Sequence, residues 1–235
     1  MAVNPDDDAP AQFRDEDAPS AISSPIQPEI LAPFPAAADP TYKVRGPIGQ
    51  GSFVISREGE PTAEELSNEN LLQIVVRGSK VSDLEVNTLL WKCLGYRFDP
   101  DSETWNNSKV FPKWKERFPE PPDLIGMQRV YSREIDQASL RSNQALVKSV
   151  PAPHKQSLKT HLKPLGFTGY QMSELTPNKT RRAQCTNWLI YYREQLFGYS
   201  VEELREKRER EKQEEDEVRN KEQGENWKPP VKEVF

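Results

Sequence analysis

The segment Glu174-Leu-Thr-Pro-Asn-Lys-Thr-Arg-Arg182 constrains the fold more than any other, because a helix starts there with the wrong charge. Thr176 has the short hydroxyl side chain of an N-cap, and Pro177 suits the first helical position, where its missing N–H is no loss. Lys179, Arg181 and Arg182 then place three cations in the opening turns. Unpaired N–H groups already make that end partly positive, so each misplaced cation costs about 0.3–1 kcal/mol. Lys179 even holds the position where a capping box would put Glu or Gln. An anion must offset these charges. It is either a carboxylate from elsewhere in the fold, such as Asp99 or Asp123, or an anionic partner.

Charge is unevenly distributed along the whole chain. The net charge is −5, yet residues 1–40 carry eight acids against Arg14 alone, and residues 141–200 carry nine Lys and Arg against Glu174 and Glu194. The acidic leader could therefore fold over the basic region as an intramolecular shield. With 35% hydrophobic and 29% charged residues, the chain has too little apolar material for a core along its full length, so one folded domain with solvated ends is expected. Residues 1–40, with eight prolines and no apolar rhythm, read as a disordered acidic leader. Residues 41–59 read as an extended segment with glycine turns, loosely alternating enough over Thr41–Ser56 to suggest strands.

Helical patterns dominate residues 60–198. Pro61 to Val76 carries Leu66, Leu71, Leu72, Val75 and Val76 toward one side. A second helix begins at Ser82, with Glu85 completing a capping box, and ends at Gly95. Gly95 to Ile125 is rich in aromatics and turn residues. Gln144–Val150 and Tyr170–Leu175 are read as short strands around a helix that opens at Pro151 or Pro153, carries Leu158 and Leu162, and stops before Gly166. The helix from Pro177 to Phe197 sets Cys185, Trp188, Leu189, Tyr192 and Leu196 at helical spacing. The expected fold is thus α+β, mostly α: a small single domain with short strands. Residues 199–235 add a charged helix, opened by a Ser200–Glu203 capping box, and a Pro/Trp tail. Leu204 and Val218 are too few for a coiled-coil seam.

Several functional classes find little support. No apolar run approaches the ~18 residues of a membrane span. The N-terminus lacks the order of a signal peptide and is acidic where a transit peptide would be basic, so a soluble chain, either processed or never imported, is expected. Cys93 and Cys185 lie far apart in helical patterns, which points to reduced, buried thiols. The Gly49-Gln-Gly-Ser-Phe53 run looks like the glycine-rich loop of a protein kinase, but Val54 replaces its third glycine and no other kinase signature is present, so a plain turn is preferred. His154 and His161 are two turns apart, a poor spacing for a metal pair, and a Cys185–His nucleophile would need convergence from distant positions. No catalytic residue, metal site or cofactor is expected. Trp91, Trp105 and Trp188 read as core anchors.

Five runs carry a resemblance to a known family: Leu94-Gly-Tyr-Arg-Phe-Asp-Pro100, Thr104-Trp-Asn-Asn-Ser108, Pro121-Pro-Asp-Leu-Ile125, Leu165-Gly-Phe-Thr-Gly-Tyr170, and Thr180-Arg-Arg-Ala183 with Asn187-Trp-Leu189. Over roughly Asn70 to Leu196 the chain resembles the domain of unknown function numbered eighteen-twenty-three, found in cyanobacteria and plastids. That resemblance implies a chloroplast setting, in the stroma or beside the thylakoid, and supplies no catalytic residues.

The candidate binding residues are the cations Lys155, Lys159, Lys163, Lys179, Arg181 and Arg182. The three lysines recur every fourth residue as a stripe on one helix, and the arginines could offer a fork for phosphate or carboxylate. Trp227, Pro229, Pro230 and Phe235 form a second candidate, a docking tail with an aromatic beside prolines. These features lead to the expectation of a non-catalytic plastid protein that binds or scaffolds a larger protein complex through its basic face and C-terminal tail. Nucleic acid bound at the basic helix start is the alternative partner, although an isoelectric point near 5.3 weighs against it. Peripheral contact with an anionic membrane is a further partner class, and an enzyme of unknown class is the remaining alternative.

Overall fold

The computed structural model describes residues 46–126 and 133–226. They form a mostly helical domain with one two-stranded sheet. Helix α1 (Asn68–Val75) is capped by Ser67, whose side chain accepts from the Asn70 N–H. Helix α2 (Asp83–Leu94) has the complete Ser82–Glu85 capping box, with reciprocal bonds of 3.2 and 2.7 Å. Every residue of α2 is buried, including Asp83, Glu85, Asn87, Thr88 and Lys92. It is the central helix, and an apolar stripe alone could not have shown that.

The helix stops at Gly95, whose φ of 98° is left-handed. A Cβ there would lie 2.0 Å from the Lys109 carbonyl oxygen, so glycine is required by space as well as by conformation. The chain then makes the antiparallel pair β1 (Arg97–Asp99) and β2 (Thr104–Asn106), with Phe98 opposite Trp105. Trp105 meets Trp91 of α2 edge-on at 5.4 Å. Helix α3 (Pro112–Arg117) follows.

The strands thus fall in the aromatic stretch and not where the apolar rhythm placed them. Gln144–Lys148 is the end of helix α4 (Arg133–Lys148), and Ser149 and Val150 turn away after it. The misreading arose because the inward face of α4 is largely polar: Ser139, Ser142 and Asn143 are buried beside Leu146. Tyr170–Leu175 contains a short 3₁₀ turn, Met172–Glu174. The described part of Thr41–Ser56 has no strand, yet it is bound into the domain. Phe53 enters the core, and the Asn70 side chain bonds both the N–H and the carbonyl of Val54, at 2.8 and 2.9 Å.

Helix α5 (Ser157–Leu162) lies between the 3₁₀ turns Ala152–His154 and Lys163–Leu165. Helix α6 (Pro177–Gln195) is the long element against which α1, α2, α4 and α5 all pack. Trp188 and Trp91 are buried and Trp105 is half-buried against the core. Helix α7 (Val201–Asn226) begins with the expected Ser200–Glu203 capping box and contributes Leu204 to the core.

The most deeply buried ion pair among the described residues joins α2 to the segment before α1. Lys92 Nζ donates to both oxygens of Glu65, at 2.5 and 2.8 Å, with side-chain exposures of 1% and 3%. Glu65 also accepts from the Ser56 and Thr62 N–H groups, so the carboxylate fastens the 46–59 segment to α2. Breaking such a pair from one side leaves a bare buried charge. Lys92→Met alone should therefore lower unfolding free energy by about 3–5 kcal/mol in urea titration, and Lys92→Met with Glu65→Leu should recover part of that loss. Gly95→Ala should be severely destabilising by the same measurement, because backbone must move.

Candidate anion-binding face

The helix start that carried three cations is neutralised from within. Thr176 caps α6 by accepting from the Lys179 N–H at 3.2 Å, and Lys179 Nζ donates to the Glu174 carbonyl at 3.1 Å. Arg182 is buried. Its Nε and Nη2 donate to Asp83 Oδ1 at 2.9 and 2.5 Å, and Nη2 also reaches the Val81 carbonyl at 2.7 Å. Nη1 is directed at the Ile74 carbonyl and Ser79 Oγ, both at 3.4 Å. The other oxygen of Asp83 accepts from Asn178.

Arg181 is buried as well. It pairs with Asp136 at 2.7 Å and donates to the Ile125 carbonyl at 3.3 Å. The anions are therefore Asp83 and Asp136, both outside the two acids proposed from sequence. Asp99 serves its own turn through Ser102 and the Asp101 N–H. Asp123 Oδ1 accepts from Asn87 and from the N–H groups of Ile125 and Gly126. Arg181 and Arg182 are thus held inside the fold, unlike the exposed Lys155, Lys159 and Lys163.

Lys155, Lys159 and Lys163 are exposed. The structure adds two cations that the sequence reading passed over, Arg141 and Lys148, exposed on α4 a helical repeat apart. The missed signal was an absence of acids. Between Asp136 and Glu174 the sequence holds none, so five exposed cations are left on α4 and the α5 region. Among the described residues, none of these five pairs with a carboxylate.

Beside this face, between α4 and the start of α6, runs a groove of about 550 Å³. Leu140, Val147, Leu175 and Pro177 supply its apolar walls, and Lys148 also lines it. Leu140 and Leu175 are 41% and 40% exposed, and Met172, on the turn leading in, is 85% exposed. A second cavity, of about 570 Å³, lies between the Gly51-Ser-Phe53 loop and the α1–α2 connection. That glycine loop is tied down at both ends. The Gly49 N–H donates to Glu85 at 2.9 Å, and Val54 is held by Asn70.

The histidines and thiols are placed apart from one another in role. The His154 ring meets Tyr191 in a tilted contact at 5.3 Å, while His161 Nδ1 lies 3.2 Å from Arg193 Nη2. Cys185 is fully buried, and its Sγ is 3.5 Å from Asn143 Nδ2. Burial pushes the pKa of both Cys185 and Cys93 upward, so both stay as neutral thiols. Among the described residues no group of three or more His, Cys, Asp or Glu gathers as a metal site. Trp227, Pro229, Pro230 and Phe235 lie outside the described residues.

Two measurements separate structural from surface cations. Arg182→Ala should lower unfolding free energy by about 3–5 kcal/mol, since it strands Asp83 in the interior, whereas Lys159→Ala should leave the urea midpoint unchanged. At pH 8, iodoacetamide should modify Cys93 and Cys185 only after denaturant is added, because thiolates are the reactive species.

A family model described as a domain of unknown function, DUF1823, matches residues 65–194. A solved solution NMR structure is 41% identical over 55% of this chain and 92% of its own, with a TM-score of 0.42. No curated protein matches the chain.

Proposed function

This chain belongs to the DUF1823 family, and from that premise we propose a non-catalytic plastid protein that binds a larger protein complex through its basic face and C-terminal tail. The observation that carries the proposal is the acid-free span from Gln137 to Ser173, with Arg141, Lys148, Lys155, Lys159 and Lys163 all exposed. A surface of one sign attracts and orients an oppositely charged partner, and it steers association more than it sets final affinity. The apolar groove beside the cations adds what pure charge lacks, a place to bury side chains. The inward placement of Arg181 and Arg182 favours protein over nucleic acid as the partner, because it removes the two guanidinium groups best suited to phosphate. Trp227, Pro229, Pro230 and Phe235 are proposed as a second, apolar contact. The chloroplast setting follows from the resemblance of the five sequence runs.

The test compares the full chain with its Lys155→Glu/Lys159→Glu/Lys163→Glu variant as bait in stromal and thylakoid extracts, with and without nuclease. Nuclease-resistant partners captured by the natural chain and lost by the variant are expected. Partners held equally by both would sink the basic-face assignment. Partners lost on nuclease treatment would transfer the face to nucleic acid, whose binding should then weaken with a log–log salt slope near −0.7 to −0.9 per phosphate neutralised.

A further inference from the structure

The groove between α4 and the start of α6 has the character of a docking site for a short acidic and apolar peptide. Its walls offer Leu140, Val147, Leu175 and Pro177, and a cation, Lys148, lines it. Arg181 lines it too, and the exposed Arg141, next to Leu140 in the chain, and Lys155, after the turn that ends α4, add positive charge to the segments that form it. An occupant that satisfied both halves would carry several apolar side chains close together and acids nearby.

The chain contains such a segment. Residues 1–45 precede the first described residue, Gly46, and their densest apolar run is Ile26-Gln-Pro-Glu-Ile-Leu-Ala-Pro-Phe34, which includes Glu29 and is followed by Asp39. Upstream lie Asp15, Glu16 and Asp17. We propose that residues 26–34 of the same chain occupy the α4–α6 groove, with Ile30, Leu31 and Phe34 against its apolar walls and the leader's acids beside Arg141, Lys148 and Lys155. The twelve-residue step from Phe34 to Gly46 spans up to about 40 Å when extended, against a radius of gyration of about 15 Å for a domain of this size, so the groove is within reach. The C-terminal tail fits the site less well. It follows the 26-residue α7 and brings Lys228 and Lys232 against Glu233 alone, which would set like charges together.

The inference rests on the proposed basic face being a surface for acidic polypeptide, and it makes the leader an internal competitor for that face. An external partner would have to displace it. The two readings can fail separately, because the following experiment contains no partner.

The full ¹⁵N-labelled chain carrying Ser24→Cys is modified with a nitroxide. The buried Cys93 and Cys185 leave the new cysteine as the selective site of attachment. Backbone amide signals of Leu140, Gln144, Val147, Leu175 and Thr180 should lose most of their intensity and regain it when the nitroxide is reduced. Adding Ile30→Asp/Phe34→Asp should restore those signals without altering the rest of the spectrum. Absence of broadening at the groove would overturn the proposal. Broadening that persists in the Ile30→Asp/Phe34→Asp chain would overturn it as well, since diffuse charge attraction then suffices. So would equally strong broadening when a spin-labelled ¹⁴N chain is mixed with unmodified ¹⁵N chain, which would assign the groove to the leader of a second copy.

Discussion

The fold depends on the bond between Asp83 and Arg182. One guanidinium on α6 binds the carboxylate that opens α2 and also takes up carbonyls from Ile74 and Val81, so α1, its connection to α2, and α2 itself are gathered onto one side chain. The charges also suit their local settings. Asp83 stands in the first turn of α2, where the unpaired N–H groups favour an anion. Arg182 sits in the opening turns of α6, where a cation is unwelcome, and the buried carboxylate removes that penalty. Desolvating two charges is expensive, and such a pair holds only when nearly every donor and acceptor is used. Here Nε, Nη1 and Nη2 each have an acceptor within 3.4 Å.

The same economy runs through the rest of the interior. With few apolar residues available, the domain joins its segments by buried and half-buried asparagines that bond chiefly to backbone. Asn87 bridges Asp123 and the Leu124 N–H, Asn143 reaches the Leu124 carbonyl, and Asn187 holds both the Leu158 N–H and the His154 carbonyl. Each replaces the ladder that a larger sheet would have supplied, since buried backbone groups must find partners. Once those cations and amides are committed to structure, the face formed by α4 and the α5 region is left with Arg141, Lys148, Lys155, Lys159 and Lys163, beside the α4–α6 groove.

Much of the helical frame was legible in the sequence, because capping and breaking residues act locally. Ser82 with Glu85, Gly95, Thr176 with Pro177, Gly166, and Ser200 with Glu203 all mark the ends they were read to mark. The oddity at Lys179, Arg181 and Arg182 also identified a real electrostatic problem. Its solution was not legible. Asp83 is 99 residues from Arg182, and nothing local distinguishes it from Asp99 or Asp123. Helix α4 was hidden for a different reason. Ser139, Ser142 and Asn143 look like a solvent face, and only the segment from Asp123 to Leu124, folded against them, turns that face into core. The binding face was half-seen. The lysine stripe follows from spacing, but Arg141 and Lys148 joined it only when the whole acid-free span was considered.

The asparagine joints have a chemical consequence. An Asn side chain that serves as donor and acceptor at once cannot lose its amide nitrogen without losing half of its function and gaining a charge, and asparagine is among the more heat-labile residues. The reaction requires the following backbone nitrogen to attack the side-chain carbonyl, a geometry that a regular helix denies. Asn70, Asn87, Asn143 and Asn187 all lie within helices, so the native fold shelters the residues on which it depends. Damage would accumulate only while the chain is unfolded. Ageing at these four joints is thereby tied to how often the chain opens, and heating would change a reversible unfolding into a permanent one.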